Sequence, residues 1–199
     1  MKKYIIYLDI LGFKNLPEEM ERKSGFYEEW IRQNCLLNPL KSKIDNMKQE
    51  GIRVFNKKNK IKGFDDYLLI VDDIQMVFEI IGEFTRIEIP HKNYDYIPFE
   101  IAVGTQETNE IIDIDPISIK STINFLKNDI IKSYKNENKD KSIKKTFVVF
   151  TQEFFKELDP LDKKYCKEIS FDGKIFFSIY LKKIWQRCKV FEFLKKNWI

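Results

Sequence analysis

Arginine, histidine and cysteine are all scarce in this chain of 199 residues, and each shortage removes a class of chemistry. Only five of the 35 basic residues are arginine (Arg22, Arg32, Arg53, Arg86 and Arg187), and the excess over 31 acidic residues is small. Nucleic-acid grooves lean on arginine forks. The charge therefore reads as a solvated, lysine-coated surface, and no stable nucleic-acid partner is expected. His91 is the only histidine and follows Pro90 in a predicted loop, so imidazole acid–base chemistry has a single remote candidate. Cys35, Cys166 and Cys188 lie far apart with no Cys-x-x-Cys. Together with His91 they are not spaced for structural zinc, nor do they make a disulfide framework. No run approaches the ~20 apolar residues of a membrane span. Met1-Lys2-Lys3 leads straight into an apolar strand containing Asp9, with no small-residue cleavage site. A signal peptide is therefore not expected, and the expected location is the cytoplasm.

What the chain does have is apolar and aromatic mass. Hydrophobic residues make 43% and aromatics 15% of it, enough to build a sizeable core and to exclude disorder. Residues 3–11, Lys-Tyr-Ile-Ile-Tyr-Leu-Asp-Ile-Leu, read as a strand buried on both faces. Helical spacing follows from about Pro17 and again over 39–50, where Leu40, Ile44 and Met47 form one stripe. Two strands, 52–57 and 64–71, are predicted as a hairpin joined by Lys57-Lys58-Asn59-Lys60. Asp72-Asp73 suits the cap of a helix with Ile74, Val77, Phe78, Ile81 and Phe84 on one side. A loop containing Pro90 and the tyrosine-rich 94–96 leads to strands at 98–105 and 109–114. Pro116 opens a helix to about Tyr134, a charged loop fills 135–145, and strand 146–150 precedes a short helix capped by Thr151. A hairpin at 168–181 and a lysine-rich amphipathic helix at 182–198 close the chain. This order predicts one α+β domain over residues 1–199, an antiparallel sheet with helices on one face. Its core spans about 3–150, with the C-terminal hairpin and helix over 151–199.

Two acidic positions resist a core-only reading. Asp9 interrupts an otherwise apolar strand, where a carboxylate costs several kcal/mol unless it is paired or metal-bound. Gly12-Phe13 follows directly, and a glycine turn presents backbone N–H groups that suit phosphate oxygens. Gly63-Phe64-Asp65-Asp66-Tyr67 opens the second apolar strand. Asp65 and Asp66 alternate in direction, so only one can share Asp9's face. If the strands are neighbours, that acid and Asp9 suit two hard Mg²⁺ or Mn²⁺ ions around a triphosphate.

Asp9-Ile10-Leu11-Gly12-Phe13 resembles the Asp-Ile-x-Gly-Phe signature of class III nucleotidyl cyclases. Gly63-Phe64-Asp65-Asp66-Tyr67 occupies the place of their Gly-Asp hairpin and resembles the Gly-Gly-Asp/Glu-Glu-Phe hairpin of diguanylate cyclases. Phe99-Glu100-Ile101-Ala102-Val103-Gly104 is similar to the cyclase strand Arg-x-Gly-Ile-x-x-Gly. The wording Leu-Asp-Ile-Leu-Gly-Phe-Lys-Asn, with Thr-Phe-Val-Val-Phe-Thr-Gln-Glu-Phe-Phe later, looks most like the short pyrimidine cyclases of Pycsar antiphage systems.

The resemblance implies a ferredoxin-like palm that converts a ribonucleoside triphosphate, UTP or CTP, to a 3′,5′-cyclic nucleotide and pyrophosphate. Asp9 and Asp65, with Asp66 as the alternative, would hold two Mg²⁺ or Mn²⁺ ions, aided by the Ile10 carbonyl. The backbone of Leu11, Gly12 and Phe13 would hold phosphates. Asn124 fits the asparagine of the family's Asn-x-x-x-Arg pair, but Asn128 stands in place of the arginine, with Lys127 as a possible substitute. The purine-selecting lysine position is Ile61, so the base is left open. A homodimer with shared sites is implied, as is a separate effector protein that responds to the cyclic nucleotide. A palm-type oligonucleotide or dinucleotide synthase and a catalytically impaired nucleotide-binding protein are the alternatives.

Overall fold

A computed structural model describes residues 2–13, 15–24, 27–56, 66–91, 94–107, 124–137, 145–171, 173–186 and 188. Its backbone is a seven-stranded sheet in the order β2-β3-β1-β6-β7-β9-β8. These strands are β1 (Lys2–Ile10), β2 (Arg53–Asn56), β3 (Asp66–Val71), β6 (Phe99–Glu107), β7 (Phe147–Thr151), β8 (Cys166–Phe171) and β9 (Lys174–Ile179). Every neighbouring pair is antiparallel except β6 and β7. The first strand therefore sits third from one edge, between β3 and β6. That place explains its near-continuous apolar wording: Ile5, Ile6, Tyr7, Leu8 and Ile10 are each at most 2% exposed. Burial of each such side chain contributes about 1.5–3 kcal/mol.

The expected α+β architecture is what the chain adopts, with helices on both faces of the sheet rather than one. The larger core joins Ile6, Leu8, Ile10, Leu69, Val71, Ile101 and Val103 to the helices at 16–24, 28–49, 74–84 and 152–157. The opposite face places Ile5, Tyr7, Leu68, Ala102 and Val149 under Leu126, Ile130 and Ile131. Those three belong to the helix 124–137, which lies between the parallel strands β6 and β7, where a crossover helix is the usual connection. Gly104 makes its close approach possible. A Cβ there would meet Leu126 Cδ2 at 3.4 Å and Thr151 Cγ2 at 3.3 Å.

Local departures from the sequence reading have local causes. The second helical piece is a continuation of Glu28–Ile31 through a π-helical turn, Arg32–Leu37, into Asn38–Gln49. Pro39 cannot donate to the carbonyl four residues back, and the wide turn just before it accommodates the missing bond. The loop predicted to hold Pro90 and the tyrosine-rich 94–96 is a two-stranded hairpin, β4 (Glu88–His91) with β5 (Tyr94–Tyr96), so His91 lies in a strand. Alternating Ile87-Glu88-Ile89 carried that signal, and Pro90 is tolerated because, among the described residues, β4 pairs with β5 alone and so is an edge strand. Asp73 caps the 74–84 helix by accepting from Gln75 N–H at 2.9 Å, and Thr151 caps the 152–157 helix, both as expected. The final helix is described over 181–186, where Ile184 is fully buried and Trp185 Nε1 donates to Thr85 Oγ1 at 2.8 Å. The hairpin tip at 57–65, the strand expected at 109–114, the start of the Pro116 helix, the charged segment 138–144 and the tail from 189 lie outside the described residues.

Candidate active site

Strand register brings the acids together. Asp9 is the cross-strand partner of Asp66 on β3 and of Glu100 on β6. Directly opposed residues in an antiparallel pair share a face, with Cα atoms about 4.5–5.5 Å apart. Positions 66, 9 and 100 thus form one row across three strands, at the end of β1 where the chain turns. Of the two hairpin acids, Asp66 is the one set opposite Asp9; Asp65 lies outside the described residues.

The Asp9 carboxylate is only 16% exposed, and its surroundings are polar. Tyr7, two residues earlier on the same face and fully buried, donates its hydroxyl to Asp9 Oδ2 at 3.3 Å. Lys127 Nζ lies 3.9 Å from the same oxygen and 5.8 Å from the centre of the Tyr7 ring. Glu100, 8% exposed, is ion-paired with Lys135, one further along the same helix. A cleft of about 420 Å³ opens here, lined by Asp9, Ile10, Gly12, Glu100, Lys127 and Asn128 among others. It has acids on its floor and the lysines of the 124–137 helix, Lys127, Lys132 and Lys135, on its wall.

The turn after β1 is closed by the Phe13 N–H donating to the Ile10 carbonyl at 3.3 Å. Gly12 takes its third position at φ +71°, a value that glycine accepts without strain. A Cβ there would meet nothing within 4 Å, so the requirement is conformational rather than steric. The Leu11 N–H donates to the Pro98 carbonyl at 2.9 Å. Of the three amides expected to face phosphates, Leu11 and Phe13 are thus engaged within the chain, and Gly12 has no partner among the described residues. The Ile10 carbonyl keeps a second lone pair for a further ligand.

On the helix, Lys127 and Asn128 reach the cleft, whereas Asn124 is exposed and is not among its lining residues. Residues Phe125–Ile131 are π-helical, so the face shared by positions four apart differs from that of an α-helix. Tyr7, Glu100, Lys132 and Lys135 line or support the cleft and had no assigned role from sequence. Glu100 carried the same signal as Asp9, a lone acid in an apolar strand. Tyr7 carried the two-residue spacing that puts it on Asp9's face.

The donors here are hard oxygens: the Asp9 carboxylate and the Ile10 carbonyl, with Asp66 at the register position opposite Asp9. That suits Mg²⁺ or Mn²⁺. Among the described residues, no group of three or more His, Cys, Asp or Glu side chains comes together as a metal centre. Asp9 and Asp66 are two, and Glu100 is held by Lys135.

No protein-family model matches the chain, and no curated protein does. Among solved structures it is similar to the active GGEEF domain of a diguanylate cyclase from Vibrio cholerae. The TM-score is 0.43 and the identity 13%, over 68% of this chain and 78% of that one. No helix among the described residues is long and apolar enough to cross a membrane.

Proposed function

We propose that this protein is a metal-dependent nucleotidyl cyclase that converts UTP or CTP into a 3′,5′-cyclic nucleotide and pyrophosphate. The observation that carries the reading is the register pairing of Asp9 with Asp66 beside the Gly12 turn. In this reading Asp9 and Asp66 hold two Mg²⁺ or Mn²⁺ ions, with the Ile10 carbonyl as a further oxygen. Bound there, the ions would lower the pKa of the attacking 3′-hydroxyl and neutralise the phosphates. Tyr7 keeps the Asp9 carboxylate oriented. Lys127, 3.9 Å from Asp9, stands where a cation on the substrate side would stabilise charge at the α-phosphate, in the role the missing arginine leaves open. Asn128 lines the same cleft and is assigned to orienting the ribose.

The biological setting proposed is antiphage signalling of the Pycsar kind in the cytoplasm, with a separate effector reading the product. A homodimer belongs to the proposal. Asn124, exposed and away from its own chain's cleft, is assigned to the partner's site. Mixing inactive Asp9→Ala with inactive Asn124→Ala is expected to restore partial turnover, because one site in a mixed dimer keeps both residues.

The deciding experiment is incubation with each of the four ribonucleoside triphosphates and Mn²⁺, followed by mass identification of products. Cyclic UMP or cyclic CMP with pyrophosphate is expected. A dinucleotide would move the assignment to a palm-type synthase. No product from any of the four would make the chain a nucleotide-binding protein. The contact of Lys127 with Asp9, which fills the side chain's reach with a cation already, favours that as the second reading.

A further inference from the structure

We infer that Arg32 is a positioning residue for the β1 turn: it fixes Phe13 and, through Phe13, the Ile10 carbonyl that faces the metal site. The inference deepens the cyclase reading and rests on it for what the turn does. Arg32 comes from the π-helical stretch of the 28–49 helix, nineteen positions beyond Phe13. Its Nη1 donates to the Phe13 carbonyl oxygen at 2.8 Å, and its guanidinium lies 4.8 Å from the centre of the Phe13 ring. The other side of the fork is tethered to its own helix, Nη2 to Glu28 Oε1 at 2.5 Å and Nε to Glu29 Oε2 at 3.9 Å.

Phe13 is thereby held at three points. Arg32 grips its carbonyl and its ring, and its N–H donates to the Ile10 carbonyl at 3.3 Å. Between the two lies Gly12 at φ +71°, a residue whose backbone has no side chain to restrict it. The plane that carries the Phe13 N–H is held from one side by the Asn15 and Leu16 amides, which both donate to the Gly12 carbonyl at 2.8 Å. The next plane, which carries the Phe13 carbonyl, is held by Arg32, and without that anchor Phe13 loosens and with it the donor that directs the Ile10 carbonyl. A planar five-donor fork is needed for this, because one group must bond a carbonyl, stack on a ring and pair with two carboxylates at once. The two carboxylates and Phe13 account for the fork of Arg32, which is only 19% exposed and points at the turn rather than into the cleft. It acts on the site through Phe13 and touches no substrate.

The test compares wild type, Arg32→Met and Arg32→Lys by hydrogen exchange over residues 9–16 and by EPR titration of free Mn²⁺. In Arg32→Met, exchange of the turn amides is expected to rise about tenfold, and so is the half-saturating Mn²⁺ concentration, as for loss of an outer-shell partner. Arg32→Lys should recover part of both, because it keeps the charge but not the fork. In turnover, the metal requirement should move more than kcat. A lower Tm with unchanged turn exchange and unchanged Mn²⁺ titration would assign a purely structural role and overturn the inference. Should Arg32→Met fail to fold, Phe13→Leu removes the ring contact alone; turn exchange and Mn²⁺ titration unchanged there overturn it equally. A wild-type protein that binds no Mn²⁺ overturns it together with the site. Absence of turnover with all four triphosphates sinks the cyclase reading by itself, while the exchange and Mn²⁺ measurements still decide on Arg32.

Discussion

The two faces of the central sheet use the same strands for opposite purposes. One face is closed. Phe78, Phe150 and Phe154 meet there with ring centroids 4.8–6.5 Å apart, each fully buried, under helices from four parts of the chain. Among the described residues, the other face is covered by the helix 124–137 and stays apolar as far as Tyr7 and Ala102. Beyond them the same alternation delivers Asp9 and Glu100, each met by a lysine from that helix. The lesson is that burial alone does not exclude charge from a strand. Charge is tolerated at the strand end, where one thin cover leaves a cleft and a long lysine can reach in from solvent.

The comparison breaks most sharply through Asp9. On the cyclase reading, Asp9→Ala or Asp66→Ala should lower turnover by about 10⁴-fold, about 5.5 kcal/mol of transition-state stabilisation. The thermal midpoint should change little, because the removed charge sits at a cleft. Steady-state assay alongside a melting curve checks this, and Asp65→Ala retaining activity would complete the register assignment. On the closed face the pattern reverses. Phe150→Ala should cost about 3–5 kcal/mol of stability by denaturant titration.

A smaller effect is expected at the second acid of the open face. Lys135→Met leaves the Glu100 carboxylate without its partner in a nearly buried place and should cost about 1–2 kcal/mol, discounted because the lysine is 41% exposed. The double variant with Glu100→Gln should recover most of that loss, and urea melts of the four proteins make the cycle. The smallest effect concerns Cys166 in the edge strand, whose thiol burial pushes up to about 11. A raised pKa means that the folded state holds the proton longer than the unfolded chain. Stability should therefore decline slightly as pH rises from the ordinary thiol range through about 11, and alkylation at pH 8 should be slower than for a free thiol. Mass-spectrometric alkylation rates, native against denatured, measure it.

Much of this molecule was legible in the order of residues, because its signals are local. The buried first strand, the caps at Asp73 and Thr151 and the Gly12 turn each follow from neighbours within a few positions. The acids themselves were visible as lone charges in apolar runs, a pattern that costs too much to be accidental. What the sequence could not weigh was pairing. Asp65 and Asp66 are adjacent and chemically identical, and it is the β1–β3 register, a sum of contacts from Tyr4↔Val71 to Asp9↔Asp66, that sets Asp66 opposite Asp9. Glu100 gains its meaning from a third strand that arrives ninety residues later. Lys127, Lys135 and Arg32 likewise act across the fold from helices whose own periodicity gives no reason to single them out. Composition, local periodicity and turn chemistry determined which elements form and where charge interrupts them. Tertiary structure alone decided which charges meet, because cross-strand and helix-to-sheet contacts depend on the register and on the face each helix covers, and those are set by packing the whole core at once.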